Sequence, residues 1–475
     1  MDQFEKLRPI GRLEQYSTAR HQIGFYLNVI VAATYELPET FTLPLEDYVY
    51  RACAAVIAEH PVLSAIPAAD DTQEPYFVRL PRVELDQVVS FHQRQTTSFV
   101  NEDEPAPDQD LQSLLEEQHN SGFTAPNAFW RLCILPNGEN QNHFTAIYVF
   151  HHALGDGGSG KAFHRSFLRA LSTAEKRETK SLVESPKTPL LPNIEALHPM
   201  PLSFFFLAKK LFEAKVYSRR DPGLWTAGQI QEPTKTCVRL LPFSKSVVTS
   251  LRDLCRQEDT TITAVLQTAV ARSVFAHIPI GYSSVACTGA LSCRRWLPNE
   301  ITEDVMGVYV QDFEETYTRS TTSLGAFPWD EARRSRQTIE AALKRQGKDA
   351  GPNLLKYVND YQQELCLSRL GQNRDKTFEV SNIGVVRSES SPEKPSIKGM
   401  VFSQCASVIG NALQFSVITG GDGCCVVSVS WQEGVVEKSL AEAVIASLRD
   451  ELHLLAGRQN STYIISRSRE LHIRI

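Results

Sequence analysis

The stretch that most constrains how this chain can fold is His151-His152-Ala153-Leu154-Gly155-Asp156-Gly157, because the segments on either side of it have different periodicities. Before it, Phe144-Thr145-Ala146-Ile147-Tyr148-Val149-Phe150 is β-branched or aromatic almost throughout, the composition of a strand buried on both faces. After it, Ala162, Phe163, Ser166, Phe167 and Ala170 recur at helical spacing between Gly158 and Leu171. The motif therefore marks a strand-turn-helix corner, where side chains stand clear of the layers and can meet a ligand. Adjacent strand residues point to opposite faces, so His151 and His152 cannot both reach one reacting atom unless the strand has already ended.

Other readings compete for the same residues. Gly155 to Gly160 satisfies GxGxxG after a strand and before a helix, which keeps a nucleotide-binding protein as an alternative. The second apolar strand with its acidic end, about 20 residues on in such a unit, is missing, since 172–192 is polar and broken by proline. Gly155, Gly160 and Lys161 also fit GxxxxGK, but residue 162 is Ala, and the hydroxyl that would hold magnesium is absent. A metal site from His151, His152 and Asp156 conflicts with the opposed strand faces. The plainest reading is two satisfied core histidines at a strand end.

A formal net charge of -6 without an extended basic run leaves no electrostatic footprint for nucleic acid. The ten cysteines are scattered without a CxxC pair, as in reduced cytosolic proteins, and MDQFEKLRPIGRLEQ lacks a secretory pattern, so a cytoplasmic location is expected. No window reaches the apolar length of a membrane span. The segment 201–212, PLSFFFLAKKLF, has aromatics and paired lysines suited to a bilayer surface, but it is read as a packed linker helix.

The HHxxxDG pattern resembles the active-site signature of the chloramphenicol-acetyltransferase-like superfamily, which includes plant acyltransferases, peptide-synthetase condensation domains and fungal alcohol acetyltransferases. Further segments are similar to the alcohol acetyltransferase branch: 12–21, His60-Pro61-Val62-Leu63, Phe129-Trp130-Arg131-Leu132, Thr260-Thr261-Ile262-Thr263-Ala264, Ser381-Asn382-Ile383-Gly384, and Ser292-Cys293-Arg294-Arg295-Trp296-Leu297-Pro298 with Gly307 beyond it. The plant DFGWG motif is absent.

The resemblance implies an α/β fold of two chloramphenicol-acetyltransferase-like domains, each a mixed sheet packed with helices, with a channel between them. It implies His152 as general base, Asp156 turned away from substrate to pair with Arg294, and Gly157 supporting the corner. It places Ser381 and Asn382 at the oxyanion or the pantetheine arm, with Gln414 a weaker pocket candidate and His60 structural. The implied activity is O-acyl transfer from acetyl-CoA or another acyl-CoA, used as co-substrate with no metal or permanent cofactor, to a hydroxyl of a small apolar or natural-product acceptor. An N-acyltransferase, or a condensation-type enzyme served by a carrier protein, is the alternative. A monomer is compatible with this arrangement.

Proline and charge concentrate after 172, which divides the chain into an N-terminal domain, 1–185, a Pro-rich linker, 186–235, and a C-terminal domain, 236–475. In the first domain the apolar run 25–33 reads as a strand and 45–59 as a helix stopped by Pro61. In the second, 284–293, 377–380, 413–419 and 424–431 read as strands, and 261–275 and 438–455 as helices.

Overall fold

The computed structural model describes residues 3–471 apart from 71, 73, 96–104, 138–139, 174–179, 216–220, 323–324 and 388–390. Two large sheets organise it. The first has five strands in the order Ser396–Gln404, Val29–Glu36, Asn140–Phe150, Trp130–Asn137 and Val89–Phe91. The run 25–33 thus becomes a strand only from Val29, and Phe25 is buried in a separate small cluster. The central strands are covered on both faces: Val29 to Ala33 and Phe144 to Phe150 are buried without a break, which is why their sequences do not alternate. Helices Leu45–Glu59 and Gly157–Ser172 pack against each other and onto this core.

The second sheet has six strands, in the order Thr236–Phe243, Cys425–Gln432, Leu413–Thr419, Phe378–Val385, Ser284–Ser292 and Val310–Thr318. Phe378–Val385 runs parallel to both its neighbours, and the other pairings are antiparallel, so the sheet is mixed. It is two-sided. Phe378, Val380, Phe415, Val417, Val427 and Val429 pack with helices Lys245–Gln257, Ile262–His277 and Lys438–Leu471 in one apolar cluster. The intervening residues Glu379, Ser381, Gln414, Ser416, Ser428 and Ser430 turn to the opposite face, toward the first sheet.

The halves are laced together by Ser396–Gln404, which leaves the second half to become the edge strand of the first sheet, pairing from Ser396 opposite Glu36 to Gln404 opposite Val29. A linear division at 236 does not contain this exchange. The strand is anchored by a buried hydrogen-bond relay. Asn28 Nδ2 donates to Gln118 O at 2.8 Å, leaving Asn28 Oδ1 to accept from His119 Nδ1 at 2.6 Å. His119 Nε2 then accepts from Ser403 Oγ at 2.8 Å, and Ser403 Oγ accepts from Ser428 Oγ at 3.0 Å. The ring is therefore neutral, and burial pushes its pKa down to about 3. His164 is held in the same way, with Nε2 donating to Val31 O at 2.8 Å and Nδ1 accepting from Tyr35 Oη at 2.9 Å, and burial lowers it to about 4.

The linker helix forms, over Phe204–Lys215, but its aromatic face is not packed as the sequence reading expects: Phe204 and Phe205 stand in solvent.

The buried histidines set a stability limit on the acid side. An unfolded histidine titrates near 6.5, so below that pH the unfolded chain takes up protons that folded His119 and His164 refuse until about 3 and about 4. The melting temperature should therefore fall as pH drops from 6.5 toward 4, each histidine contributing up to about 1.4 kcal/mol per pH unit in that window. Thermal melts across the range check this; a flat profile between pH 6.5 and 4.5 would contradict it.

Candidate active site at the corner between the sheets

The Asn140–Phe150 strand ends before the histidines, and Leu154 N donates to His151 O at 2.9 Å to close a turn. That ending separates the two rings. His151 is buried among His21, Phe123 and Phe129, with ring centroids at 4.6, 6.4 and 5.3 Å, and its Nδ1 accepts from Ala153 N at 3.0 Å. Burial and neighbouring His21 hold its pKa well below the usual value, so it is a neutral packing group.

His152 is only partly buried. Its ring lies 5.8 Å from that of Tyr26. Its Nδ1 is shielded from solvent. Burial, reinforced by the Arg20 guanidinium, pushes the pKa down to about 4, against the backbone carbonyls of His152 and Gly155 and the Asp156 carboxylate, which favour the charged ring. An ordinary value near 6.5 is what the sequence suggests; the enclosed ring departs from it and is unprotonated throughout the neutral range.

Asp156 turns away from this edge and caps the Gly157–Ser172 helix, accepting from Ser159 N at 2.9 Å. Its other partners come from the second half. Arg294 Nη1 and Nη2 donate to the two carboxylate oxygens at 2.7 and 3.0 Å, and Tyr309 N donates at 3.0 Å. Burial pushes this carboxyl up, but the charge and hydrogen bonds of Arg294, with the two backbone donors, outweigh it and hold the pKa below the usual carboxylate range. Ser159 Oγ and Gly307 close the same junction, the hydroxyl accepting from Gly307 N at 3.0 Å and donating to Gly307 O at 2.9 Å. Of the two adjacent arginines, Arg294 is buried and Arg295 exposed.

The glycines serve close packing. A Cβ on Gly157 would lie 2.6 Å from Ile383 Cγ2, one on Gly158 3.0 Å from Arg294 Nη1, and one on Gly160 2.2 Å from Val31 Cγ2. The helix N-terminus, which a nucleotide phosphate would need, is already taken by the Asp156 carboxylate. The corner is built for interlocking and offers no phosphate cradle.

The Phe378–Val385 strand comes to the corner at the Gly157–Ile383 contact and separates the two polar residues of its motif. Ser381 lies on the cleft face two residues before Ile383 and is buried, yet its hydroxyl has no hydrogen-bond partner among the described residues. Asn382 lies on the opposite face: its Nδ2 donates to Thr263 Oγ1 at 3.0 Å and its Oδ1 accepts from Gly384 N at 2.9 Å. There it lines an apolar cavity with Ile262, Leu266, Val417 and Leu452, on the helical side of the sheet and away from His152. The structure thus joins Asp156, Gly157 and Arg294 at one junction beside His152, with Ser381 two residues from the Ile383 contact, and holds the Asn382 amide on the other face of the strand.

Comparison with known proteins fits this geometry. The family described as alcohol acetyltransferase matches residues 9–452. The chain belongs to that family. It is 32% identical over 460 residues to "Probable alcohol acetyltransferase crmB" of Aspergillus fumigatus, covering 91% of this chain and 96% of the relative. It is 24% identical to "Probable alcohol acetyltransferase FCK4" of Fusarium pseudograminearum, over 94% of each chain. Among solved structures, the TRI3 trichothecene 15-O-acetyltransferase from Fusarium sporotrichioides superposes with a TM-score of 0.70 at 12% identity, covering 94% of this chain and 95% of that one. The first condensation domain of the calcium-dependent antibiotic synthetase gives 0.62 at 13% identity, over 95% and 96%. At such identities these structures speak to the fold: two sheet-and-helix halves, as in acetyltransferases and condensation domains.

The sequence reading of this acetyltransferase missed residues that approach the corner from the other side. Arg20 lies over the rings of Tyr16 and Tyr26, 4.0 and 4.4 Å from their centroids, and Tyr26 adjoins His152. Glu379 accepts from Gln404 Nε2 at 3.3 Å and Asn411 Nδ2 at 3.4 Å, and Gln404 also donates to Gln414 Oε1 at 3.2 Å. The legible signal was polar residues at every second position of apolar strands: Glu379 and Ser381, Gln414 and Ser416, Ser428 and Ser430.

Truncating Arg294 tests the junction. Arg294→Met should leave Asp156 buried and uncompensated, lowering stability by about 3–5 kcal/mol in denaturant titrations. Arg294→Lys, which keeps the charge but not the fork, should fall between. A wild-type midpoint in Arg294→Met would remove the pair from its structural role.

Proposed function

We propose that this acetyltransferase moves the acyl group of an acyl-CoA, acetyl-CoA in the first instance, to a hydroxyl of a small apolar or natural-product acceptor, with His152 as general base. The observation that carries the proposal is a neutral, partly exposed imidazole just past the end of the Asn140–Phe150 strand, on the turn that the Asp156–Arg294 pair holds. The acceptor hydroxyl gives its proton to His152 Nε2 while its oxygen attacks the thioester carbonyl. As the tetrahedral intermediate collapses and the carbon–sulfur bond breaks, the same nitrogen returns the proton to the departing thiolate. A ring that burial makes reluctant to stay charged favours the return step, because thiols hold a proton up to about 8.5.

Ser381, buried at the cleft without a protein partner, is the residue proposed to donate to the oxyanion. Asn382 is not assigned to that role, its amide being held by Thr263. Asp156 and Arg294 act as positioning residues that fix the turn carrying His152. Tyr26, Arg20, Glu379, Gln404 and Gln414 form the wall proposed for the acceptor. A hydroxyl acceptor is supported by the names of the two relatives and by the trichothecene 15-O-acetyltransferase likeness. The likeness to condensation domains supports the alternative, a carrier-protein thioester as donor or an amine as acceptor.

Release of free CoA from acetyl-CoA in the presence of an alcohol panel decides between these donors. His152→Ala should cost about 10²–10⁴-fold in turnover with an unchanged circular dichroism spectrum; a folded His152→Ala protein of wild-type rate would end the assignment. Since the base works unprotonated with a pKa of about 4, kcat/KM should hold steady down to about pH 5 and fall on an acid limb near 4. A limb at 6.5 would show a solvated ring instead. Ser381→Ala should lower kcat by about 10²-fold with little change in KM.

A further inference from the structure

The Phe204–Lys215 helix carries an unusual surface. Phe204 is 79% exposed, Phe205 85%, Leu211 59% and Phe212 52%. With Ala208, also exposed, they follow the spacing i, i+1, i+4, i+7, i+8, which puts them on one face of a helix. Scattered exposed apolar side chains are ordinary, but a continuous aromatic stripe turned outward marks an interaction surface. The helix is held in place from beneath its start, where Ser203 N and Oγ donate to Asp349 at 2.6 and 2.8 Å. Its exposed face is thus presented by a fixed scaffold.

Charge identifies the occupant. Between Phe204 and Phe212 the helix carries Lys209 and Lys210 and no carboxylate. This cationic run of two belongs to a protein whose formal net charge is -6, so it opposes the overall bias. An aromatic stripe beside clustered cations fits the boundary of an anionic bilayer, where rings enter the acyl region and lysines meet headgroups. A second copy fits poorly, because two-fold pairing of this face would bring two cationic runs together. We propose that this helix docks the enzyme reversibly onto membranes carrying anionic lipids. Among the described residues no helix is long and apolar enough to cross a membrane, so the attachment is to the surface. The proposal is independent of the assigned chemistry, since binding is read without turnover.

The test is co-sedimentation of the whole chain with phosphatidylcholine vesicles, with and without phosphatidylserine. Binding should be at least about tenfold stronger to the serine-containing vesicles and should weaken with added salt. Lys209→Gln with Lys210→Gln should reduce it by about tenfold or more, at about 1 kcal/mol per lysine. Phe204→Ser with Phe205→Ser and Phe212→Ser should reduce binding to background with the protein still folded, because Phe204 and Phe205 stand in solvent and Phe212 is half exposed. Failure to sediment with either vesicle, or sedimentation that survives the triple serine variant, would overturn the proposal. So would a dimer in sedimentation velocity that the same serines dissolve, since the stripe would then be covered by a second copy.

Discussion

The Asp156–Arg294 pair is the constraint on which the rest of the molecule depends. Burying a carboxylate and a guanidinium costs several kcal/mol each unless every polar atom is satisfied. Here the carboxylate faces two donors of the guanidinium fork and the backbone Ser159 N and Tyr309 N, with the Ser159 hydroxyl, shared with Gly307 O, at 3.1 Å. Asp156 and Ser159 belong to the first half, and Arg294, Gly307 and Tyr309 to the second, so neither half can satisfy the junction alone. Helix capping, interdomain docking and the shape of the turn under His152 are therefore one event. The aspartate of HHxxxDG is bound to its motif by folding physics, with no demand that it touch substrate.

That construction explains why His152, the proposed base, sits where its basicity is poor. A histidine at the strand end must pass from the core to the cleft within one residue, and its neighbour His151 is fully absorbed by aromatic packing. His152 inherits much of the same enclosure, which lowers its pKa to about 4. At that value the ring is neutral throughout the neutral range. Arg20, clamped between two tyrosines, adds to the same bias from the first half.

Local signals in the sequence carried the corner far. The strand-turn-helix reading, the choice of Arg294 over Arg295 and the helices at 45–59 and 157–172 were legible because periodicity, capping residues and motif spacing are short-range properties. What escaped was long-range. Ser396–Gln404 has no pattern that announces the other half as its sheet partner, since register is decided by pairing across more than 360 residues, as with Gln404 and Val29. Asn382 was misplaced for a related reason: a motif written as adjacent letters conceals that neighbours on a strand face opposite ways. The aromatic run at 204–212 was read as packed because composition cannot say on which side of a helix the rest of the protein will lie.

The second sheet has two unlike faces. Its helical face is a continuous apolar core whose packing holds the layer together. Its other face carries Glu379, Ser381, Gln414, Ser416, Ser428 and Ser430 and meets the crossover strand. Two of these are tied to the crossover strand, Ser430 to Gln404 O at 2.7 Å and Ser428 to Ser403 at 3.0 Å. Among the described residues Glu379 accepts long amide contacts at 3.3 and 3.4 Å, and burial raises its pKa. Any of these buried groups left unpaired costs about 1–3 kcal/mol, so the polar face constrains what can pack against it.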